Sequence, residues 1–128
     1  QMKSRIGEYK TLGRGRVLGW RLLFNKRSHD ETAKANIGED ANSVVWGVLY
    51  DITPADIANL DKWEPGYSRI SVPVILDSGD TLEAACYVAR EVEDGLLPSR
   101  KYLDTILEGA RESRLPKDYI GALEEILL

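Results

Sequence analysis

Val44-Val45-Trp46-Gly47-Val48-Leu49-Tyr50 and, just after it, Thr53-Pro54-Ala55-Asp56-Ile57-Ala58-Asn59-Leu60-Asp61-Lys62-Trp63-Glu64-Pro65-Gly66-Tyr67 form the stretch on which the fold turns. The first seven residues are a near-continuous apolar run and read as a central strand covered on both faces. Thr53 then suits a helix N-cap, Pro54 the first helical position, and Asp56 the spacing of a capping box. Ile57, Leu60 and Trp63 recur at helical spacing, and Pro65-Gly66 ends the helix. Glu64 is thereby left in the last turn, where the helix dipole opposes a negative charge. Burial there would disfavour its charged form further. A carboxylate so placed is a candidate general acid/base, and Tyr67 follows closely enough to share the spot. On these residues alone, a solvated surface glutamate is the competing reading.

Outward from this stretch, strand signals dominate. Residues 11–24 carry β-type side chains, with glycines that mark bulges or bends. Residues 25–43 are polar and read mostly as loop. Beyond Tyr67, residues 68–76 alternate Ile70, Val72, Val74 and Leu76 on one face. Asp77-Ser78-Gly79-Asp80 is a turn, and residues 81–88 return as the hairpin partner. Ser99 caps a second helix whose apolar stripe is Tyr102, Leu103, Ile106, Leu107 and Ala110. Leu115-Pro116 breaks it, and a last short helix carries Tyr119, Ile120, Leu123, Ile126 and Leu127. The residues before Ile6 read as the tail of a helix. Antiparallel strands with peripheral helices make an α+β domain.

The chain has 128 residues, 43% hydrophobic and 30% charged, which suits one globular domain over residues 1–128. No apolar run approaches a membrane span, and no signal peptide opens the chain, so no membrane partner is expected. Cys86 is the only cysteine. It excludes an internal disulfide and a cysteine zinc site, reads as a structural thiol, and fits a cytoplasmic setting. Charge is uneven. Through Lys34 there are nine Lys/Arg against three Asp/Glu, +6, and the remainder has eight against eighteen, −10. Arg14 and Arg16 share a strand face near Arg21, Lys26 and Arg27. Few aromatics interleave with them, so a solvated face is favoured over nucleic-acid binding.

Other chemistries find little support. Gly13, Gly15 and Gly19 are spaced G-x-G-x-x-x-G before a strand, whereas a dinucleotide site needs a helix N-terminus. His29-Asp30-Glu31 are adjacent rather than spaced as metal ligands, so no metal is expected. No G-x-S-x-G elbow is present. Asp61 lies three residues before Glu64, on a neighbouring helix position.

Three segments together resemble the γ-glutamylcyclotransferase family, an AIG2-like fold. They are Gly19-Trp20-Arg21-Leu22-Leu23-Phe24-Asn25; Val45-Trp46-Gly47-Val48-Leu49-Tyr50 leading to Leu60-Asp61-Lys62-Trp63-Glu64-Pro65-Gly66-Tyr67; and Pro98-Ser99-Arg100-Lys101-Tyr102-Leu103 with Gly109-Ala110-Arg111-Glu112, Leu115-Pro116 and Tyr119. The resemblance implies a small mixed or antiparallel β-barrel-like sheet with peripheral helices. It implies an enzyme that cyclises a γ-glutamyl group to 5-oxoproline and releases an amino acid or amine, without cofactor. Glu64 matches the family's acid/base, and Tyr67 and Tyr102 match tyrosines that bind or orient substrate. The implied partner is a small γ-glutamyl compound. Two departures stand out. No G-S-N occurs, so the family's N-terminal strand and Y-G-S-N loop, which holds the substrate carboxylate, are expected to be missing. Pro65 also replaces the glycine that usually follows the glutamate. The missing loop motivates an alternative, a non-catalytic small-molecule-binding module on the same scaffold.

Overall fold

The structure is a computed structural model that describes residues 10–63 and 66–128, the side chain of Trp63 excepted. The expected helix tail before Ile6, and Glu64 with Pro65, lie outside the described residues. The sheet comprises β1 (Lys10–Arg27), β2 (Ala33–Asp51), β3 (Tyr67–Leu76) and β4 (Thr81–Ala89), in the antiparallel order β2-β1-β3-β4. Among the described residues three helices accompany it: α1 (Pro54–Trp63), α2 (Arg100–Glu112) and α3 (Lys117–Glu124). The α+β class expected from sequence is the one observed.

Strands as long as β1 and β2 must bend to enclose a core. Register shifts break their pairing at Thr11/Gly13, Leu18/Trp20 and Phe24/Lys26. Gly13 and Gly19, with φ of 123° and 83°, supply backbone that a side chain would resist at the first two. Gly15 serves differently. A Cβ there would lie 2.5 Å from Val74 Cγ1, so only glycine lets β1 meet β3, which it pairs through Gly15↔Leu76 and Arg16↔Ile75. The sheet curls until β2 approaches β4. The Ala89 N–H donates to Asn36 Oδ1 at 2.8 Å, and Asn36 Nδ2 donates to Asn25 Oδ1 at 2.9 Å. Asn36 is only 5% exposed, so these bonds offset the cost of burying its amide.

Two expectations for this region are corrected. Residues 25–43 are mostly strand, because β1 runs to Arg27 and β2 starts at Ala33. Weak β-formers such as Ala35, Asn36 and Gly38 hid the alternation of Ala33, Ala35 and Ile37, which pairing with Leu22 and Phe24 then enforces. The irregular backbone shrinks to the turn at residues 28–32, and residues 40–43 of β2 only slip out of register with β1. There Asp40 accepts from the Asn42 N–H and the Ser43 hydroxyl. The run 44–50 is a strand, half-buried throughout, but it lies at one end of the described sheet order rather than at its centre. Its apolar character reflects cover from the helices, since Trp46 packs against the cluster of Leu103, Leu107, Ala110, Leu115 and Leu123.

The hairpin and the helices form as read. Gly79, at φ 92°, turns β3 into β4 with its N–H on Leu76 O, and Ile75↔Thr81 closes the pairing. α1 starts on Thr53, whose hydroxyl accepts from the Asp56 N–H at 3.2 Å. α2 starts on Ser99, whose hydroxyl accepts from the Tyr102 N–H at 3.1 Å. Leu103, fully buried, belongs to the cluster of α2 and α3 residues against which Leu22 and Phe24 of the sheet pack. α2 ends with the Arg114 N–H on Arg111 O and the Leu115 N–H on Ala110 O, the paired bonds of a Schellman motif. Arg114 occupies its left-handed position at φ 55°. α3 stops at Glu124, so Ile126 and Leu127 pack on the core from beyond the helix.

Candidate active site

Tyr67 opens β3, directly after Gly66, whose φ of 84° redirects the chain leaving α1. The Arg90 N–H binds Gly66 O at 2.9 Å, and the Arg90 guanidinium binds Tyr67 O at 2.9 Å and Ser68 Oγ at 3.2 Å. The other tyrosine, Tyr102, sits in the first turn of α2, held by the Ser99 cap. Its ring meets Phe24 edge-on, with centroids 6.4 Å apart.

The two tyrosines converge on one residue of β2. The Tyr67 hydroxyl donates to Ala35 O at 2.9 Å, and the Tyr102 hydroxyl accepts from the Ala35 N–H at 3.0 Å. In a strand the N–H and C=O of one residue point to the same side, so the phenols stand side by side along one edge of β2. Two residues far apart in sequence thus share a site that only strand pairing creates.

Cations flank both rings. Lys34 Nζ lies 4.1 Å from the Tyr102 ring centroid and Lys26 Nζ 5.4 Å from that of Tyr67. Lys26 also presses on the turn before Tyr67, since a Cβ on Gly66 would lie 2.8 Å from Lys26 Cε. Sequence reasoning missed both lysines at this site, because their placement depends on the β1–β2 register and carries no local signal.

Glu64, the expected acid/base, lies outside the described residues. Its described neighbours are well tethered. Leu60 is buried, and Asp61 accepts from the Tyr87 hydroxyl at 2.6 Å and lies 3.5 Å from Arg69. Asp61 therefore ties the end of α1 to β3 and β4 rather than simply facing water. Asp61, Tyr67, Ser68, Arg69, Tyr87 and Arg90 line a polar cleft of about 420 Å³. On the helix side, Ala35 and Tyr102 border a cleft of about 410 Å³ together with Trp46, Tyr50 and Tyr119. The Tyr119 hydroxyl is buried there without a well-formed hydrogen bond, and burial raises its pKa against the opposing influence of the Trp46 backbone.

The remaining candidates resolve into structural roles. Arg14 and Arg16 bracket the Trp46 ring at 5.4 and 5.8 Å, and Arg14 also reaches Asp77 at 2.8 Å and Arg114 O. Arg14 and Arg16 thus lie on the protein's own surface groups, while Arg21 and Arg27 are exposed. Asp30 accepts from the hydroxyls of Ser28 and Thr32 and from the Thr32 N–H, which hold its carboxyl far below the usual range. Among the described residues no group of three or more His, Cys, Asp or Glu side chains is arranged to hold a metal. Burial pushes the half-buried Cys86 thiol up, away from nucleophilic character. No helix among the described residues is long and apolar enough to cross a membrane.

The AIG2-like family model matches residues 44–123, which run from the second half of β2 through α1, the hairpin and α2 into α3 and include both tyrosines. The chain belongs to the AIG2-like family. Among curated relatives, it is similar to a gamma-glutamylcyclotransferase of Bos taurus, 30% identical over 96 residues, covering 72% of this chain and 50% of the relative. A gamma-glutamylcyclotransferase of Mus musculus is 29% identical over the same length. The chain spans about half the length of these relatives. Of solved structures, a gamma-glutamyl cyclotransferase superposes with a TM-score of 0.91 at 24% identity, covering 98% of this chain and 79% of that one, a likeness of fold. An uncharacterized protein from Homo sapiens superposes with a TM-score of 0.89 at 26% identity and the same coverage. The fold of this AIG2-like chain is thus the γ-glutamylcyclotransferase fold.

Proposed function

We propose that this chain carries γ-glutamylcyclotransferase-type activity, the cyclisation of a γ-glutamyl group to 5-oxoproline with release of the attached amino acid or amine. The observation that carries the reading is the meeting of Tyr67 and Tyr102 on Ala35, Tyr67 lying three residues after Glu64 in sequence. The names of the curated relatives point the same way.

In this reading Glu64 is the general acid/base. It takes a proton from the substrate's neutral α-amine as that nitrogen attacks the γ-carbonyl carbon. The new C–N bond closes a five-membered ring, the original amide C–N bond breaks, and the proton passes to the departing amine. No bond to the protein forms, and no oxidant, metal or cofactor enters the balance. Because attack is intramolecular, holding the substrate folded supplies much of the acceleration. The two tyrosines line the site and hold the substrate in that geometry. A cytoplasmic setting belongs to the same proposal.

Incubating the full-length protein with γ-glutamyl amino acids and measuring 5-oxoproline tests it. Glu64→Gln removes the proton acceptor without changing size and is expected to lower kcat by roughly 100-fold or more. Equal turnover by variant and parent would remove Glu64 from the mechanism. A parent that releases no 5-oxoproline from any γ-glutamyl compound would sink the enzyme reading and favour a binding module.

A further inference from the structure

We infer that Lys26 and Lys34 form a carboxylate-binding pair beside the two tyrosines, a specificity element for the substrate of the proposed reaction, on which this inference rests. The two lysines are direct cross-strand partners in β1 and β2. Directly opposed side chains in an antiparallel pair have Cβ atoms roughly 5 Å apart, and like charges there oppose strand pairing. A strand pair built only for stability would place an acid opposite one of them.

Among the described residues the pair has little neutralising charge, Asp30 acting on Lys34 alone and Lys34 being only the weakest influence on that carboxyl. Arg27, the next residue after Lys26, takes both Glu93 and Glu31. Asp30 has its carboxylate occupied by Ser28 and Thr32. Among the described residues neither Lys26 nor Lys34 makes an ion pair, and the one hydrogen bond from Lys26 Nζ goes to Arg27 O at 3.2 Å.

Position makes the pair useful. Both side chains are half-buried, and each ammonium stands over the ring of one tyrosine whose hydroxyl is bonded to Ala35. Lys34 also borders a cleft of about 580 Å³ with Ser99, Lys101, Tyr102 and Thr105, where Asp30 is the sole acidic lining residue. Two ammonium groups held at a partly desolvated site favour an anion that bridges them. A γ-glutamyl compound brings its own α-carboxylate, and a second carboxylate when the leaving amine is an amino acid.

The test uses glutarate as a binding probe that cannot cyclise, titrated calorimetrically into the full-length protein and into Lys26→Met and Lys34→Met. Methionine keeps the unbranched stem over the tyrosine and removes the charge. Each variant is expected to bind glutarate roughly 10- to 100-fold more weakly, while Lys10→Met, at the far end of β1, binds as the parent does. Thermal unfolding checks that the variants fold, and Lys→Gln at each position provides a second pair. Unchanged affinity in both folded variants overturns the proposal.

A kinetic arm locates the carboxylate. Loss of kcat/KM on both γ-glutamylalanine and γ-glutamylethylamide assigns it to the γ-glutamyl group. Loss on γ-glutamylalanine alone assigns it to the released amino acid, and no loss on either overturns the specificity role. A parent that binds glutarate through the lysines yet releases no 5-oxoproline refutes the cyclotransferase reading while leaving the carboxylate site standing.

Discussion

Replacing each site tyrosine by phenylalanine separates two hydrogen bonds made to one residue. Tyr102→Phe deletes the acceptor of the Ala35 N–H, and Tyr67→Phe deletes the donor to Ala35 O. Both variants keep the ring, so the edge contact with Phe24 and the ammonium of Lys34 remain against residue 102, and Lys26 against residue 67. The costs should differ because the two backbone groups differ. An N–H has one proton and loses its partner outright, whereas a carbonyl keeps a second lone pair. Leaving a buried donor unsatisfied costs about 1–3 kcal/mol. Ala35 is only half-buried, so water reaches it and the low end applies, about 1 kcal/mol for Tyr102→Phe. Tyr67→Phe should cost roughly half as much. With a urea m-value of about 1–3 kcal/mol/M, the unfolding midpoint of Tyr102→Phe falls by roughly 0.3–1 M, and that of Tyr67→Phe by less. Urea titration followed by circular dichroism reads both. Turnover measured on the same samples should fall more than stability does, because both phenols border the site. A larger stability loss from Tyr67→Phe, or no loss from either, would refute the assignment of donor and acceptor at Ala35.

Two further outcomes follow from the same bookkeeping of backbone and charge. Arg114→Gly relieves a non-glycine residue in the left-handed position of the α2 Schellman motif and keeps its backbone bonds, so unfolding free energy should rise by about 0.5–1 kcal/mol, read as a higher Tm. Asp30 has its carboxyl lowered from an ordinary value of 3.8, chiefly by the Ser28 hydroxyl and then by Thr32. A depressed carboxyl contributes stability above its unfolded pKa and loses it as pH falls through the folded one. The chain should therefore lose part of its stability below about pH 4, and Asp30→Asn should flatten that part of the profile in acid titrations followed by fluorescence.

Much of the fold was legible because its signals are local. Thr53 and Ser99 cap the helices they were expected to cap, since a hydroxyl satisfies an N–H only three residues ahead. Gly79 turns the hairpin because a tight turn needs its positive φ. The glycine-marked bends of β1 appear at Gly13 and Gly19 for the same reason. The site was legible in part. Motif resemblance selected Tyr67 and Tyr102, but the first half of β2 read as loop, so the residue that joins them went unseen.

The sequence by itself determined where helices begin, where the hairpin turns and which residues carry the family's motifs, because capping, turn geometry and apolar periodicity act over a few residues. Only the tertiary structure decided that Tyr67 and Tyr102, 32 and 67 positions from Ala35, bond the backbone of that one residue. It also decided that Lys26 and Lys34 face each other, and that the run around Trp46 lies at one end of the described strand order rather than in its middle. These depend on strand register, which is set jointly by the bulges of β1 and the packing of the whole sheet on α2.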